Sequence, residues 1–280
     1  MTVKKVIITG GGGGIGAHMA VHFAADHGAH VAVLDVSKDG LEAMQVHLKD
    51  KPYFNQLTFI LCDVSSDQNI KDAIQQAVKA LGGVDAVINN AGLANPFVDK
   101  NIKQLEDFST ELFEKYLRIN LTGSFVVARE SAAELEKTGG CIINIASTRA
   151  YMSEPNAEGY AASKGGVLAL TTALASTLGS RGVRVNCITP GWVDTRDARM
   201  PYVDRFPNPT NVTPVSAKCH EQHTVGRMGR GMDIAKMAWF LVCDDDGFIT
   251  GQEFVVDGGM STKMILHIDD DYQTLKKKQV

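Results

Sequence analysis

The sequence predicts a doubly wound α/β fold, a parallel sheet with helices on both faces, and three observations predict it. Seven short β-branched or apolar runs recur along the chain, amphipathic helical segments separate them, and most runs are continuously hydrophobic rather than alternating. A strand covered on both faces needs apolar residues at successive positions, whereas a half-exposed antiparallel strand alternates. The strands fall at residues 6–8, 31–34, 59–61, 84–88, 142–145, 183–188 and 254–256, and the helices at 14–27, 38–49, 68–81, 108–136, 160–179 and 232–243. No linker or internal repeat divides the 280 residues, so residues 1–262 are expected to form one domain. Two stretches depart from the alternation. Residues 196–225, with Pro201, Pro207, Pro209 and Pro214, follow the sixth strand and are expected to be a substrate lid beside the crevice at the strand carboxyl ends. Residues 263–280 are expected to be a C-terminal extension whose apolar Met264, Ile265 and Leu266 dock while its lysine-rich end frays.

Composition excludes several classes. With 44% hydrophobic and 21% charged residues the chain is neither disordered nor collagen-like. It has no run of eighteen apolar residues, and Lys4-Lys5 leads into a strand pattern and glycines rather than a signal-peptide core, so a cytoplasmic location without membrane contact is expected. A net charge of -4 and a pI near 6.1 give no basic field for nucleic acid. Cys62, Cys141, Cys187, Cys219 and Cys243 form no C-x-x-C pair and are expected to be buried, reduced thiols. His18 and His22 have ligand-like spacing but fall between apolar Ile15, Met19 and Phe23, which turns them to solvent in this reading. Cys219, His220 and His223 lack a fourth ligand, so no metal site is expected.

The first strand runs into Thr9-Gly10-Gly11-Gly12-Gly13-Gly14-Ile15-Gly16, and a helical pattern starts at once. Glycines let a backbone approach a pyrophosphate closely, and the N–H groups and positive end of the helix stabilise the anion. Asp35, nineteen residues beyond Gly16 at the end of the second strand, is placed to accept hydrogen bonds from ribose hydroxyls. Its carboxylate would repel a 2′-phosphate by ~1–4 kcal/mol at about 4 Å. No Lys or Arg stands in the glycine loop or at Val36-Ser37, although Lys38 is near, so NAD is expected over NADP. The helix that follows has Ser37 as its cap, which leaves Asp35 for another task.

Tyr160 and Lys164 stand four apart and share one helix face. A tyrosine is a poor base near neutrality, and an adjacent ammonium makes it a usable proton-transfer group by stabilising the phenolate. Ser147 ends the apolar run 142–146, at a strand carboxyl end where ligands bind in open α/β sheets, and its hydroxyl would hold a substrate oxygen.

With these residues the chain resembles the classical short-chain dehydrogenases/reductases over residues 3–262. The likeness is carried by the Thr9 to Gly16 loop, Asp63, Asn89-Asn90-Ala91-Gly92, Asn120, Ser147, Tyr160 with Lys164, Pro190-Gly191 with Val193 and Thr195, and Asp257-Gly258-Gly259. The one mild departure near the chemistry is Ala146, where the family often has serine. The resemblance implies a single-domain Rossmann fold with Tyr160 as catalytic acid/base, Ser147 polarising the carbonyl or hydroxyl, and Lys164 binding the nicotinamide ribose and lowering the Tyr160 pKa. It implies that Asn120 holds a relay water through its main-chain carbonyl. The cofactor would meet Gly10, Gly12, Gly13, Gly14, Ile15, Asp35 and Val36 at the phosphate and ribose end and Asp63 and Val64 at the adenine. It would meet Asn90, Ala91 and Gly92 along the adenosine side, and Pro190, Gly191, Val193 and Thr195 at the nicotinamide.

Between Ser147 and Tyr160 lie Arg149, Tyr151, Glu154 and Asn156, with Trp192, Met200, Arg196 and Arg199 nearby in the later loop. Arg149 either clamps an anionic substrate group or pairs with Glu154 and shapes the loop. Arg149, Glu154, Asn156 and Trp192, together with Ser147, form a mixed lining that favours a small polar alcohol or sugar over a steroid. Three functions are compatible: an NAD(H)-dependent alcohol dehydrogenase, an NADPH-dependent 3-oxoacyl thioester reductase, and a catalytically silent dinucleotide sensor. The resemblance further implies a homo-oligomer, a tetramer or dimer packed through helices 108–136 and 160–179. Ala162, Gly166, Ala169 and Ala173 permit close approach there, although packing on the sheet would want the same residues.

Overall fold

The structure, a computed structural model, describes residues 4–94, 104–196, 216–244 and 246–263. Seven parallel strands are built as expected: β1 (Lys5–Thr9), β2 (His30–Asp35), β3 (Leu57–Leu61), β4 (Ala86–Asn89), β5 (Cys141–Ile145), β6 (Arg184–Pro190) and, after two short strands, β9 (Glu253–Val256). Their order is β3-β2-β1-β4-β5-β6-β9, so the chain winds outward from β1 to one edge and then from β4 to the other. The reversal between β1 and β4 opens a crevice at the carboxyl ends of those strands. Register places Val6 beside Val31 and Ala86, and Asn144 beside Asn89 and Cys187.

Continuous apolar strands serve two layers at once. Val6, Ile8, Val31, Val33, Ile143 and Ile188 face one core, packed by α1 (Gly14–His27), α2 (Lys38–Leu48) and α8 (Gly231–Val242). Ile7, Ala32, Val87, Ile142 and Val185 face the other, packed by α3 (Asp67–Leu81), α5 (Gly123–Thr138) and α6 (Glu158–Leu178). Serine hydroxyls cap three helices: Ser37 accepts from Gly40 N–H, Ser66 from Asn69 N–H, and Ser109 from Leu112 N–H at the start of α4 (Thr110–Tyr116).

Several expectations are corrected. The helix expected over 108–136 is two, α4 and α5, joined by a π turn over Leu117–Thr122 that has Asn120 within it. The strand expected over 84–88 begins at Ala86, because Gly82 and Gly83 take positive φ and Asp85 spends its carboxylate on the Lys5 N–H at 2.7 Å. A small parallel pair, β7 (Val193–Asp194) with β8 (Gly229–Arg230), and a short α7 (Ala217–Glu221) have no counterpart in the hydrophobic pattern. Cys62, Cys141 and Cys187 are buried, but Cys219 and Cys243 are only half-buried.

His18 and His22 do not face solvent; they are 3% and 7% exposed. The reason is that α1 has two neighbours, the sheet and α8. Phe23 packs on Trp239 with ring centroids 5.0 Å apart, His27 stacks on the same indole at 4.2 Å, and His22 Nδ1 donates to Asp26 at 2.6 Å. The expected lid, Met200 and Arg199 included, lies largely outside the described residues, as does the expected extension beyond Lys263.

Candidate active site

The glycine loop is forced by contact. Gly10 has φ of 63°, and a Cβ there would come within 2.7 Å of Ala91 Cα; on Gly16 it would meet the Gly10 carbonyl oxygen at 2.2 Å. Asn90 holds the turn from the neighbouring strand end, its side-chain amide donating to the carbonyls of Thr9 and Gly10 at 3.1 and 3.0 Å. The N–H groups of Asn90 and Ala91 both reach Thr9 Oγ1 at 3.1 Å. Asn90 and Ala91 therefore build the loop as well as bordering it.

Unlike α2, α3 and α4, helix α1 has Gly13 at its N-cap and no side-chain cap, so no capping side chain takes the N–H groups of its first turn. An uncapped helix start behind a Cβ-free cradle fits a pyrophosphate. Asp35 is buried at the end of β2; it accepts from Gly12 N–H at 3.0 Å and from Ser37 N–H at 2.8 Å. Its carboxylate thus ties the phosphate loop to the end of β2. Val36 is exposed beside it, Asp63 accepts from Ser65 N–H at 2.8 Å, and Val64 is buried against Gly123.

The structure brings Ser147, Tyr160, Lys164 and Asn120 together at the ends of β4 and β5. Ser147 follows β5 and caps the turn Thr148–Ala150, its hydroxyl accepting from the Arg149 N–H at 3.3 Å, and it acts on the Tyr160 hydroxyl as a lowering influence on its pKa. Lys164 is 5% exposed and its ammonium donates to the Ile145 carbonyl at 2.8 Å. Burial lowers the Lys164 pKa to about 8. Burial also raises the Tyr160 pKa, against the smaller lowering by Ser147 and Arg149. This corrects the expected lowering: Lys164 stands 5.8 Å from the ring centre, and the protein groups keep Tyr160 protonated at neutrality.

Asn120 is 1% exposed and locked on all sides. Its side chain donates to Leu93 O at 3.2 Å and Ser163 Oγ at 3.0 Å and accepts from Leu93 N–H at 2.7 Å. Its main-chain carbonyl accepts from Ser124 Oγ at 2.9 Å. Gly92 is exposed directly above, where a Cβ would be 3.3 Å from Asn120 Oδ1 and 3.6 Å from Lys164 Nζ. Ser124, Ser163 and Leu93 are supporting residues that sequence reasoning missed. Tyr116 is another, packed edge-to-face on Tyr160 at 6.1 Å and seated in the notch left by Gly159.

On the substrate side Arg149 and Glu154 form a two-point ion pair, with Arg149 Nε at 2.7 Å from Glu154 Oε2, and the guanidinium lies 5.5 Å from the centre of the Trp192 ring. Burial pushes the Glu154 carboxyl up, but Arg149 outweighs it and holds the pKa below its ordinary value. Of the two alternatives for Arg149, the ion pair is the one formed. Asn156 takes φ of 63°, in the turn leading to α6. Beyond buried Pro190, Gly191 packs so closely on Asp257 that a Cβ would be 2.8 Å from its Cβ, and half-buried Val193 and Thr195 lie on the far side of Trp192. Arg196 is chelated by Asp194.

Comparison with known proteins agrees with this geometry. The profile of a family described as Enoyl-(Acyl carrier protein) reductase matches residues 11–261. An uncharacterized oxidoreductase of Thermotoga maritima is 39% identical over 94% of this chain and 97% of its own length, and an L-fucose dehydrogenase of Bos taurus is 32% identical over 91% and 88%. Among solved structures, an apo SCOR enzyme from Clostridium thermocellum superposes with TM-score 0.78 at 35% identity, covering 96% of this chain and 97% of that one. ElxO with NADP bound gives 0.77 at 25%, covering 94% and 100%. A 3-ketoacyl-(acyl-carrier-protein) reductase from Brucella melitensis complexed with NADH gives 0.75 at 29%, covering 92% and 98%. The sheet order, the glycine loop and these matches make the chain a member of the classical short-chain dehydrogenases/reductases, oxidoreductases that use a nicotinamide cofactor on CH–OH groups.

Proposed function

We propose that the protein is an NAD(H)-dependent dehydrogenase that interconverts a secondary alcohol and a ketone on a small, polar, sugar-like substrate. The observation that carries this is the gathering of four groups: the Lys164 ammonium lies 5.8 Å from the centre of the Tyr160 ring, Asn120 and Lys164 both lie within 4 Å of a Cβ placed on Gly92, and Ser147 acts on the Tyr160 hydroxyl. When bound, the nicotinamide supplies the carbon that accepts or donates hydride. Tyr160 moves the proton of the substrate hydroxyl, Ser147 holds the substrate oxygen, and Lys164 carries the positive charge that favours the phenolate once it forms. The Asn120 main-chain carbonyl would hold the water through which that proton reaches solvent.

Gly10, Gly12, Gly13, Gly14 and Ile15 would seat the pyrophosphate. Asp35 and Val36 would border the ribose, Asp63, Val64, Asn90, Ala91 and Gly92 the adenosine, and Pro190, Gly191, Val193 and Thr195 the nicotinamide. NAD is favoured because the buried Asp35 carboxylate meets any 2′-phosphate with repulsion of ~1–4 kcal/mol. Lys38, the nearest cation in sequence, is turned to Glu42 at 3.6 Å. Relatives of both kinds, one solved with NADP and one with NADH, make the choice a property of the individual chain.

The polar Arg149–Glu154 pair beside Trp192, with Asn156 in the turn leading to α6, suits a hydroxyl-rich substrate, in line with the L-fucose dehydrogenase relative. The second reading, a 3-oxoacyl thioester reductase using NADPH, draws on the Brucella relative, and Asp35 speaks against its cofactor. A catalytically silent sensor would have no use for four assembled catalytic groups. Residues 1–262 would act as one domain with residues 196–225 as lid and 263–280 as extension, in the cytoplasm. No described helix is long and apolar enough to cross a membrane. A homotetramer or dimer would use the outer face of α6, where Ala162, Ala169 and Ala173 are exposed while Gly166 is taken by Leu121 within the chain.

The test is initial-rate measurement with NAD and NADP against aldoses, polyols, hydroxysteroids and hydroxyacyl thioesters. NAD-linked turnover greatest with sugars or polyols is expected. Turnover confined to hydroxyacyl thioesters with NADP would replace this reading with the second.

A further inference from the structure

We propose that His18 is a positioning residue for the nicotinamide half of the dinucleotide. Its imidazole moors the phosphate-binding helix to the Thr195 carbonyl, in a notch that exists because residue 231 is glycine. His18 Nε2 lies 3.1 Å from Thr195 O, and a carbonyl can only accept, so Nε2 carries the proton and donates. The ring passes across the first residue of α8: a Cβ on Gly231 would sit 2.1 Å from His18 Cδ2 and 2.3 Å from Cγ. Any larger residue there would displace the imidazole from Thr195.

The arrangement is specific in two further ways. Thr195 directly follows β7 and Gly231 directly follows β8, and these two strands pair in parallel, so His18 closes a three-way joint between α1, the start of α8 and the end of β7. The other ring nitrogen, Nδ1, is buried and has no hydrogen-bond partner among the described residues. An apolar side chain would fill the same space without orphaning a polar atom, so packing alone does not account for a histidine here.

The consequence rests on the reading that Thr195 meets the nicotinamide. Helix α1 begins at the glycine loop, and His18 lies one turn into it, above Gly14. Fixing Thr195 to that turn sets the separation between the pyrophosphate seat and the nicotinamide seat. Loss of the tie would loosen the nicotinamide end and leave the adenosine diphosphate end in place.

The experiment is calorimetric titration of the whole protein with NADH and with ADP-ribose, which lacks the nicotinamide. It compares wild type with His18→Leu, which fills the notch without a donor, His18→Gln, which keeps one, and Gly231→Ala. Wild type should bind NADH more tightly than ADP-ribose. His18→Leu and Gly231→Ala should weaken NADH at least tenfold while ADP-ribose changes less than twofold, and His18→Gln should recover most of the loss. Equal weakening of both ligands, or of neither, would overturn the role of His18. Wild type that binds NADH no better than ADP-ribose would instead overturn the placement of residues 190–195, and the proposal with it. Should His18→Leu not fold, Gly231→Ala and His18→Gln give opposite expectations that still decide it.

Discussion

Lys164 stands one helical turn beyond Tyr160 with its ammonium 5.8 Å from the centre of the phenol ring, yet its hydrogen bond runs to the Ile145 carbonyl rather than to the tyrosine. Burial sets both pKa directions: it raises Tyr160 and lowers Lys164 to about 8.

Tyr160 is therefore a ready proton donor at neutrality, and its base form is scarce. Alcohol oxidation requires the base form, so its rate should climb about tenfold per pH unit from pH 7, with the slope easing above about 8 as Lys164 loses its charge. Carbonyl reduction uses the protonated form and should stay flat across the same interval. Steady-state pH profiles in both directions check this; an oxidation rate independent of pH between 7 and 8 would contradict it.

Lys164 also links stability to pH. Its folded pKa of about 8 lies below the ordinary 10.5, so between those values the unfolded chain binds more protons and stability rises with pH. The full span is worth about 3 kcal/mol. Lys164→Met removes this rise while adding a pH-independent cost at the Ile145 carbonyl. Urea unfolding of both proteins from pH 7 to 9.5 should show wild type gaining on the variant as pH increases. Comparison at each pH subtracts thiols shared by both, such as Cys62, whose pKa burial pushes up to about 12.

Gly16→Ala forces a Cβ to 2.2 Å from the Gly10 carbonyl, where only backbone can yield. A stability loss of ~1–3 kcal/mol with loss of dinucleotide binding is expected. Gly28→Ala is the control: it also alters a glycine of this helix, at its far end, where a Cβ would meet nothing within 4 Å. Its NADH affinity should match wild type in the same titration.

Arg149 is engaged by Glu154, so it shapes the substrate loop rather than clamping an anion. Arg149→Ala should raise KM similarly for neutral and carboxylate-bearing analogues of one substrate. A cycle with Glu154→Ala should give a coupling of about 0.5–3 kcal/mol. A penalty confined to carboxylate substrates would show that the pair opens to bind them.

Much of this was legible in the sequence, for identifiable reasons. Strand residues 31–34 are apolar at every position, and 142–145 at every position but Asn144, because both faces are covered, and the structure extends each by only a residue or two. The glycine loop and the Tyr160–Lys164 spacing are local patterns, and local patterns survive folding. What stayed hidden depends on distant packing. The apolar spacing of α1 turns His18 to solvent only for a helix with one neighbour, and nothing near His18 in the sequence announces that Gly231 leaves space for it. The π turn at Asn120 has no periodic signature, since Leu117 to Thr122 continue an ordinary helical composition. The expected Tyr160 shift had the wrong sign because spacing on a helix gives proximity to Lys164 but not depth of burial.

The most direct test of the central claim is Tyr160→Phe, measured for turnover of the best substrate and for NADH affinity in the same preparation. Removing the hydroxyl while keeping the ring that packs on Tyr116 should lower turnover about 10²- to 10⁴-fold and leave NADH binding within about twofold. Turnover within tenfold of wild type, with binding intact, would contradict the assignment of proton transfer to Tyr160.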